Sequence, residues 1–373
     1  MNICHKENMA FEIIGTGRAL PPKRVSNDDL AAQIDTSDEW IRSHTGIGSR
    51  YLADETTACS DLAAEAAKNA LAMSAGYTDD CAAQQDTSLR DKSQRDLSLR
   101  DKAAAEAAKT IDMIILATCT PDYYGTPSTA CIVQDSIGAY QAAAMDISAA
   151  CTGFIYGIET AAGFLSVNAR RKRALVIGAE VLSKMINWDD RTICILFGDG
   201  AGAVVVERTD SDMIGNSVGR SGILHTIMRA DGSGNESLLM RRGGSRNPFK
   251  KGEVIETPIC VEMNGQEVYN FAVKAITDTI DALLREGNIN INDVTRIIPH
   301  QANARIVHAA AKRLNIPLEK FYLNIEEYAN TSSASIPIAL DEMNRGGRLK
   351  KGDLILTVGF GGGLTYGGNI IVW

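Results

Sequence analysis

Short apolar runs alternate along this chain with longer, alanine-rich stretches in which apolar positions return every third or fourth residue. The runs predict strands at Phe11–Gly15, Met113–Thr118, Ala142–Ile147, Ala174–Gly178, Gly202–Glu207, Gly222–Arg229, Arg296–His300, Asp353–Phe360 and Gly368–Trp373. The helical periodicity predicts helices at Asp38–His44, Ser60–Met73, Ser128–Ile137, Thr152–Val167, Gly265–Arg285, Ala302–Leu314 and Ser333–Arg345. Strands separated by helices imply a largely parallel, helix-covered α/β architecture.

One pattern occurs twice. Phe197-Gly198-Asp199-Gly200-Ala201-Gly202 runs into Ala203-Val204-Val205-Val206, and 163 residues later Phe360-Gly361-Gly362-Gly363 leads, through Gly367-Gly368, into Asn369-Ile370-Ile371-Val372. Two related halves joined near residues 208–220 explain the echo; chance recurrence of glycine turns before strands is the alternative. Between residues 75 and 109 the charged repeat Ser88-Leu89-Arg90-Asp91-Lys92 and Ser98-Leu99-Arg100-Asp101-Lys102 reads as a surface insertion, either a solvated helix or a loop.

Composition narrows the function classes. With 45% hydrophobic and 23% charged residues the chain is globular in type, and its net charge is -8. The only basic tract, Arg170 to Arg173, precedes an expected strand, so nucleic acid is not an expected partner. No apolar stretch is long enough to span a membrane, and Met1–Phe11 lacks a signal-peptide core, which makes the cytoplasm the expected location. The 8 cysteines include no Cys-x-x-Cys pair or metal-type cluster, so neither a disulfide framework nor a metal is expected.

Four segments carry candidate chemistry. In Asp146-Ile147-Ser148-Ala149-Ala150-Cys151-Thr152-Gly153 an apolar strand delivers a cysteine to the start of a helix, where unpaired N–H groups favour thiolate. Alone, such a cysteine is more often a buried structural residue. Ile297-Ile298-Pro299-His300 brings a histidine to the C-terminal end of a strand, the place where open α/β sheets bind ligands; a satisfied core histidine is the alternative. Asn330, in Ala329-Asn330-Thr331-Ser332-Ser333-Ala334-Ser335, offers an amide donor that does not titrate, or else a helix cap. Glycines 359 and 361–363 allow backbone N–H groups to face an oxyanion, whereas the lysine of a phosphate loop is missing.

In this order and spacing the segments resemble the thiolase superfamily, and most closely the β-ketoacyl-acyl carrier protein synthase III family. Thr36-Ser37-Asp38-Glu39-Trp40, Thr45-Gly46-Ile47, Phe197-Gly198-Asp199-Gly200-Ala201-Gly202 and Met263-Asn264-Gly265 match as well. The resemblance implies a thiolase-like α/β fold of two halves, 10–207 and 221–373, each a mixed sheet covered by helices, in five layers α-β-α-β-α. It implies a homodimer, no cofactor, and condensation of a primer acyl-CoA with malonyl-acyl carrier protein. Cys151 is then the acylated nucleophile, His300 and Asn330 hold the malonyl thioester carbonyl, and the N–H groups of Cys151 and Gly362 form the oxyanion hole. Phe360 shapes the site beside the departing carboxylate. Trp40 and Arg191 match the adenine sandwich, while His44 stands where the family often has arginine. Arg305, Lys312 and Arg313 form the expected carrier-protein patch, although Asn270 replaces a lysine found in some relatives. Thr126, before Pro127, stands where short-primer relatives carry an aromatic residue, which implies a roomier acyl tunnel. The runner-up is a polyketide or secondary-metabolite ketosynthase with the same Cys-His-Asn set; a non-condensing acyltransferase or thioesterase would use Cys151 without decarboxylation.

Overall fold

The structure, a computed structural model, describes residues 9–77, 89–210, 221–254 and 259–373. The extreme N terminus, residues 78–88 of the expected insertion at 75–109 and most of the expected join near 208–220 lie outside the described residues. The strands are β1 (Met9–Ala19), β2 (Lys23–Ser26), β3 (Ser49–Leu52), β4 (Met113–Ala117), β5 (Ala143–Ile147), β6 (Arg173–Glu180), β7 (Gly200–Asp210), β8 (Gly222–Ala230), β9 (Leu238–Met240), β10 (Val261–Met263), β11 (Arg296–Pro299), β12 (Leu354–Gly361) and β13 (Thr365–Val372). The α-helices are α1 (Asn27–Ala31), α2 (Asp38–Thr45), α3 (Cys59–Ser74), α4 (Leu89–Ala108), α5 (Thr129–Ile137), α6 (Gly153–Ser166), α7 (Gly265–Glu286), α8 (Ala304–Leu314), α9 (Ile325–Tyr328) and α10 (Ser335–Arg345).

Two sheets share one plan. The first runs β1-β7-β6-β4-β5 and the second β8-β13-β12-β11. In each, the outer two pairings are antiparallel and the next is parallel: β1 with β7, β7 with β6 and β6 with β4 in one, β8 with β13, β13 with β12 and β12 with β11 in the other. The repeated glycine pattern therefore opens equivalent strands, β7 and β13. Helices α3 and α5 cover the outer face of the first sheet, α6 and α10 lie between the sheets, and α7, backed by α8, covers the second, giving five layers.

Local sequence accounts for the layers. Met113-Ile114-Ile115-Leu116-Ala117 is apolar at every position because β4 is buried on both faces. Gly15 and Gly17 bring α3 onto the first sheet: a Cβ at either would fall 2.3 Å from the backbone oxygen of Ala70 or Ala66. The charged segment is only partly a solvated face. Ala104, Ala107 and Ala108 of α4 are buried in the first core, and Arg100 reaches back to Glu65 and, at 3.0 Å, to Asn69.

Candidate active site

The expected helix at Thr152 starts one residue later. Ala150–Thr152 form a 3-10 turn after β5, and α6 begins at Gly153. Ala150 has a φ of 47°, a left-handed conformation that costs a non-glycine residue roughly 1–2 kcal/mol. Among the described residues, three of the five non-glycine residues with positive φ, Ala150, Ala329 and Ser332, flank Cys151 and Asn330. Strain gathers around the chemistry. Gly361 allows this turn to press on β12, since a Cβ there would lie 2.7 Å from the backbone nitrogen of Cys151.

Two physical effects oppose each other at Cys151. The helix start favours thiolate, as its sequence setting implies. Burial acts the other way: the side chain is 9% exposed, and desolvation pushes its thiol up to about 12. The resting sulfur is therefore protonated, and the helix start alone does not yield a standing thiolate.

His300 follows β11 and is almost fully buried. Desolvation lowers its pKa to about 3, so the imidazole is neutral. Ser335 Oγ lies 2.7 Å from His300 Nδ1 and accepts the Gln301 N–H at 3.4 Å. Ser335 thus occupies the Nδ1 side, and a hydroxyl that donates there puts the imidazole proton on Nε2. The ring also meets Phe360 edge-on, with centroids 5.2 Å apart. Ser335 escaped the sequence reading, though it belongs to the small polar cluster that flagged Asn330.

The carboxamide of Asn330 is oriented by its own turn. Its Oδ1 accepts the Ser332 N–H at 2.8 Å, which leaves the NH2 group as the available donor. Backbone bonds from Asn330 N to Leu196 O and from Gly198 N to Asn330 O tie this turn to the glycine-rich segment before β7.

Cys151 lies where two cavities meet. The first, 280 Å³, is lined by Cys151, His300, Asn330 and Phe360 and extends to Trp40 and Arg305. The second, 330 Å³, is walled by apolar side chains such as Leu182, Leu238 and Met240 and also takes in Cys119 and Gly362. The three expected reaction residues thus share one space, and Gly362 stands with Cys151 on its other side.

The outlying residues divide. Trp40 stacks on His44 with centroids 4.3 Å apart, and the Arg191 guanidinium lies 6.0 Å from the Trp40 ring, held by Asp35. Arg305, Lys312 and Arg313 are exposed on α8, and His308 falls on the same face between the first two. Lys274 of α7, one turn beyond Asn270, stands within charge range of Arg313. Its ammonium is paired with Asp278 one turn along the helix. Thr126 is on the exposed loop after β4 and lines neither cavity. No group of three or more metal-ligating side chains occurs among the described residues.

Paired sheets of one plan meeting over a buried nucleophile turn make this chain a thiolase-like condensing acyltransferase. The family model described as 3-oxoacyl-[acyl-carrier-protein] synthase III matches residues 145–232, and its C-terminal counterpart matches residues 284–373. A β-ketoacyl-[acyl-carrier-protein] synthase III of Caldanaerobacter subterraneus is 46% identical over 98% of this chain and 99% of its own. The crystal structure of 3-oxoacyl-[acyl-carrier-protein] synthase III from Aquifex aeolicus is 40% identical, with a TM-score of 0.77 over 97% of this chain and 100% of that one. The priming β-ketosynthase of the R1128 polyketide pathway superposes with a TM-score of 0.80 at 28% identity, covering 100% and 98%. The chain belongs to the β-ketoacyl-acyl carrier protein synthase III family.

Proposed function

We propose that this enzyme, working in the cytoplasm, condenses a primer acyl-CoA with malonyl-acyl carrier protein through an acyl-Cys151 intermediate. The observation that carries the reading is the shared cavity: one nucleophile and two non-acidic hydrogen-bond donors converge where a thioester from the Trp40 mouth would arrive. Cys151 attacks the primer carbonyl, and the N–H groups of Cys151 and Gly362 hold the oxyanion. The acyl chain enters the apolar second cavity, and CoA leaves past Trp40 and Arg191.

Malonyl thioester then takes the vacated channel. Loss of CO2 puts enolate charge on the thioester oxygen, and Nε2–H of His300 and the NH2 of Asn330 bind that charge better than the ground-state carbonyl. The carbanion attacks acyl-Cys151. Phe360 presents an apolar ring beside the departing carboxylate, which disfavours the charged group and favours neutral CO2. His300→Ala and Asn330→Ala should each cut decarboxylation by roughly 10²–10³ while sparing much of the Cys151 acylation. Intact-protein mass spectrometry after acyl-CoA exposure, with CO2 release measured alongside, checks both; undiminished decarboxylation in either variant rejects the assignment.

The molecule is read as a homodimer of two-halved subunits. Among the described residues strand β5 ends the first sheet with an unpaired edge, and Tyr123, Tyr124 and Tyr140, all exposed, flank the two strands at that edge. A second copy there brings the Thr126 loop toward the partner's acyl cavity. Sedimentation should give a dimer, and Thr126→Phe should shift preference toward short primers. A monomer, or an unchanged primer profile, removes this part of the reading.

A further inference from the structure

The mouth of the first cavity is built from two separate pieces of chain. Helix α2 supplies Trp40, His44 and Thr45, and the segment 191–197 supplies Thr192, Ile195 and Leu196. Ile41 and Ile47 pack with Ile193 and Ile195 in one apolar cluster, but apolar contact is non-directional and does not fix how two ligand-binding planes stand to each other. At the surface Arg191 reaches the backbone oxygen of Asp35 at 3.1 Å and its carboxylate at 3.3 Å. Both side chains are well exposed there, and such contacts hold weakly.

A buried link lies beneath. Arg50, in β3, is fully enclosed, and its two terminal nitrogens point to different partners. Nη1 donates to Asn27 Oδ1 and Nη2 to the Ile195 backbone oxygen, each at 2.8 Å. Asn27, equally buried, passes the first arm on: its Nδ2 donates to Asp38 Oδ1 at 2.8 Å and to Ile47 O at 2.7 Å. Asp38 opens α2, two residues before Trp40, and holds Arg42 Nε on both oxygens at 2.9 Å. The second arm ends in the segment that carries Arg191. One guanidinium therefore touches the supports of both pieces.

Stability alone does not account for this residue. Among the described residues no carboxylate pairs with Arg50, its acceptors are neutral oxygens, and its Nε is buried without a partner. Burial lowers its pKa to about 10, which still leaves it charged at neutral pH. A buried charge without a counter-ion is a poor stabilising device. What a guanidinium offers here is direction, since its planar fork holds two acceptors at a fixed angle. We infer that Arg50, acting through Asn27, is a positioning residue of the cavity mouth: it sets α2 against the segment 191–197 so that Trp40 and Arg191 face the space where the adenine of an acyl-CoA enters. The inference rests on the reading of that mouth as the entrance for CoA-linked primers.

The test compares acylation of Cys151 by an acyl-CoA with acylation by the same acyl group on pantetheine, which carries the thioester but no nucleotide. Rates are followed by mass spectrometry over a range of concentrations in the full-length enzyme, in Arg50→Lys, which keeps the charge and loses the fork, and in Asn27→Ser, which cuts only the arm to α2. Leu196 also accepts the Asn330 N–H, so the assay stops at acylation, before Asn330 acts. Each variant should weaken the half-saturating concentration of acyl-CoA by roughly tenfold, the order of one lost hydrogen bond, with little change in the maximal rate. Use of the pantetheine thioester should move by less than about twofold. Because both residues lie on one path, the double variant should be no worse than the more impaired single one. Equal losses with the two thioesters, or an unchanged acyl-CoA profile, overturn the inference. So does failure of both variants to fold, which would make the network a stability element. A wild-type enzyme that forms no acyl-Cys151, or that does not distinguish the two thioesters, overturns the reading beneath it.

Discussion

At the scale of single residues, burial sets the chemistry of the site. His300 is held neutral by desolvation, with its pKa near 3 against about 6.5 in an unfolded chain. The folded value is the lower one, so the unfolded chain binds this proton more readily. The stability associated with the neutral ring is complete above about pH 6.5 and is lost as pH falls from there towards 3, at up to about 1.4 kcal/mol per pH unit. Denaturant unfolding of wild type and His300→Gln at a series of acidic pH values should show this loss in wild type and a shallower one in the variant. Parallel curves would mean the ring is not buried in its neutral form. In the proposed mechanism the same burial serves catalysis: a neutral Nε2–H stabilises an enolate without first having to give up a proton.

At the scale of elements, legibility followed length and apolarity. The runs that became β4, β6 and β7 and the 22-residue α7 stand out because burial on both faces, or on one long stripe, leaves an unbroken signal. The ribbons β2–β3 and β9–β10 left no such trace: they are short, and Lys23, Arg24 and Glu262 interrupt their apolar positions. Cys151, His300 and Asn330 could be read because each sits where a strand or turn hands over to a helix. The partnership of Ser335 with His300 could not, since it is a relation between segments 35 residues apart. Thr126 shows the reverse limit, because the role proposed for it depends on a second copy of the chain.

At the scale of the whole molecule, charge poses the last question. On the proposed function an acidic carrier protein docks on an enzyme of net charge -8, so docking depends on a local field rather than on the total. The exposed basic residues of α8 are the proposed source of that field. Arg305 is a poor single probe of that face, because it also lines the first cavity, where CoA and carrier-linked thioesters both pass. Lys312 and Arg313 lie two turns further along the helix and line neither cavity. Lys312→Glu with Arg313→Glu should therefore raise the KM for malonyl-acyl carrier protein several-fold at low ionic strength and leave acylation by acyl-CoA unchanged. Arg305→Glu should impair both steps. Added salt should narrow the gap between wild type and the double variant, since exposed charges are screened over about 8–10 Å. Equal losses with CoA-linked and carrier-linked substrates in the double variant, or a gap that salt does not touch, would move the docking face elsewhere.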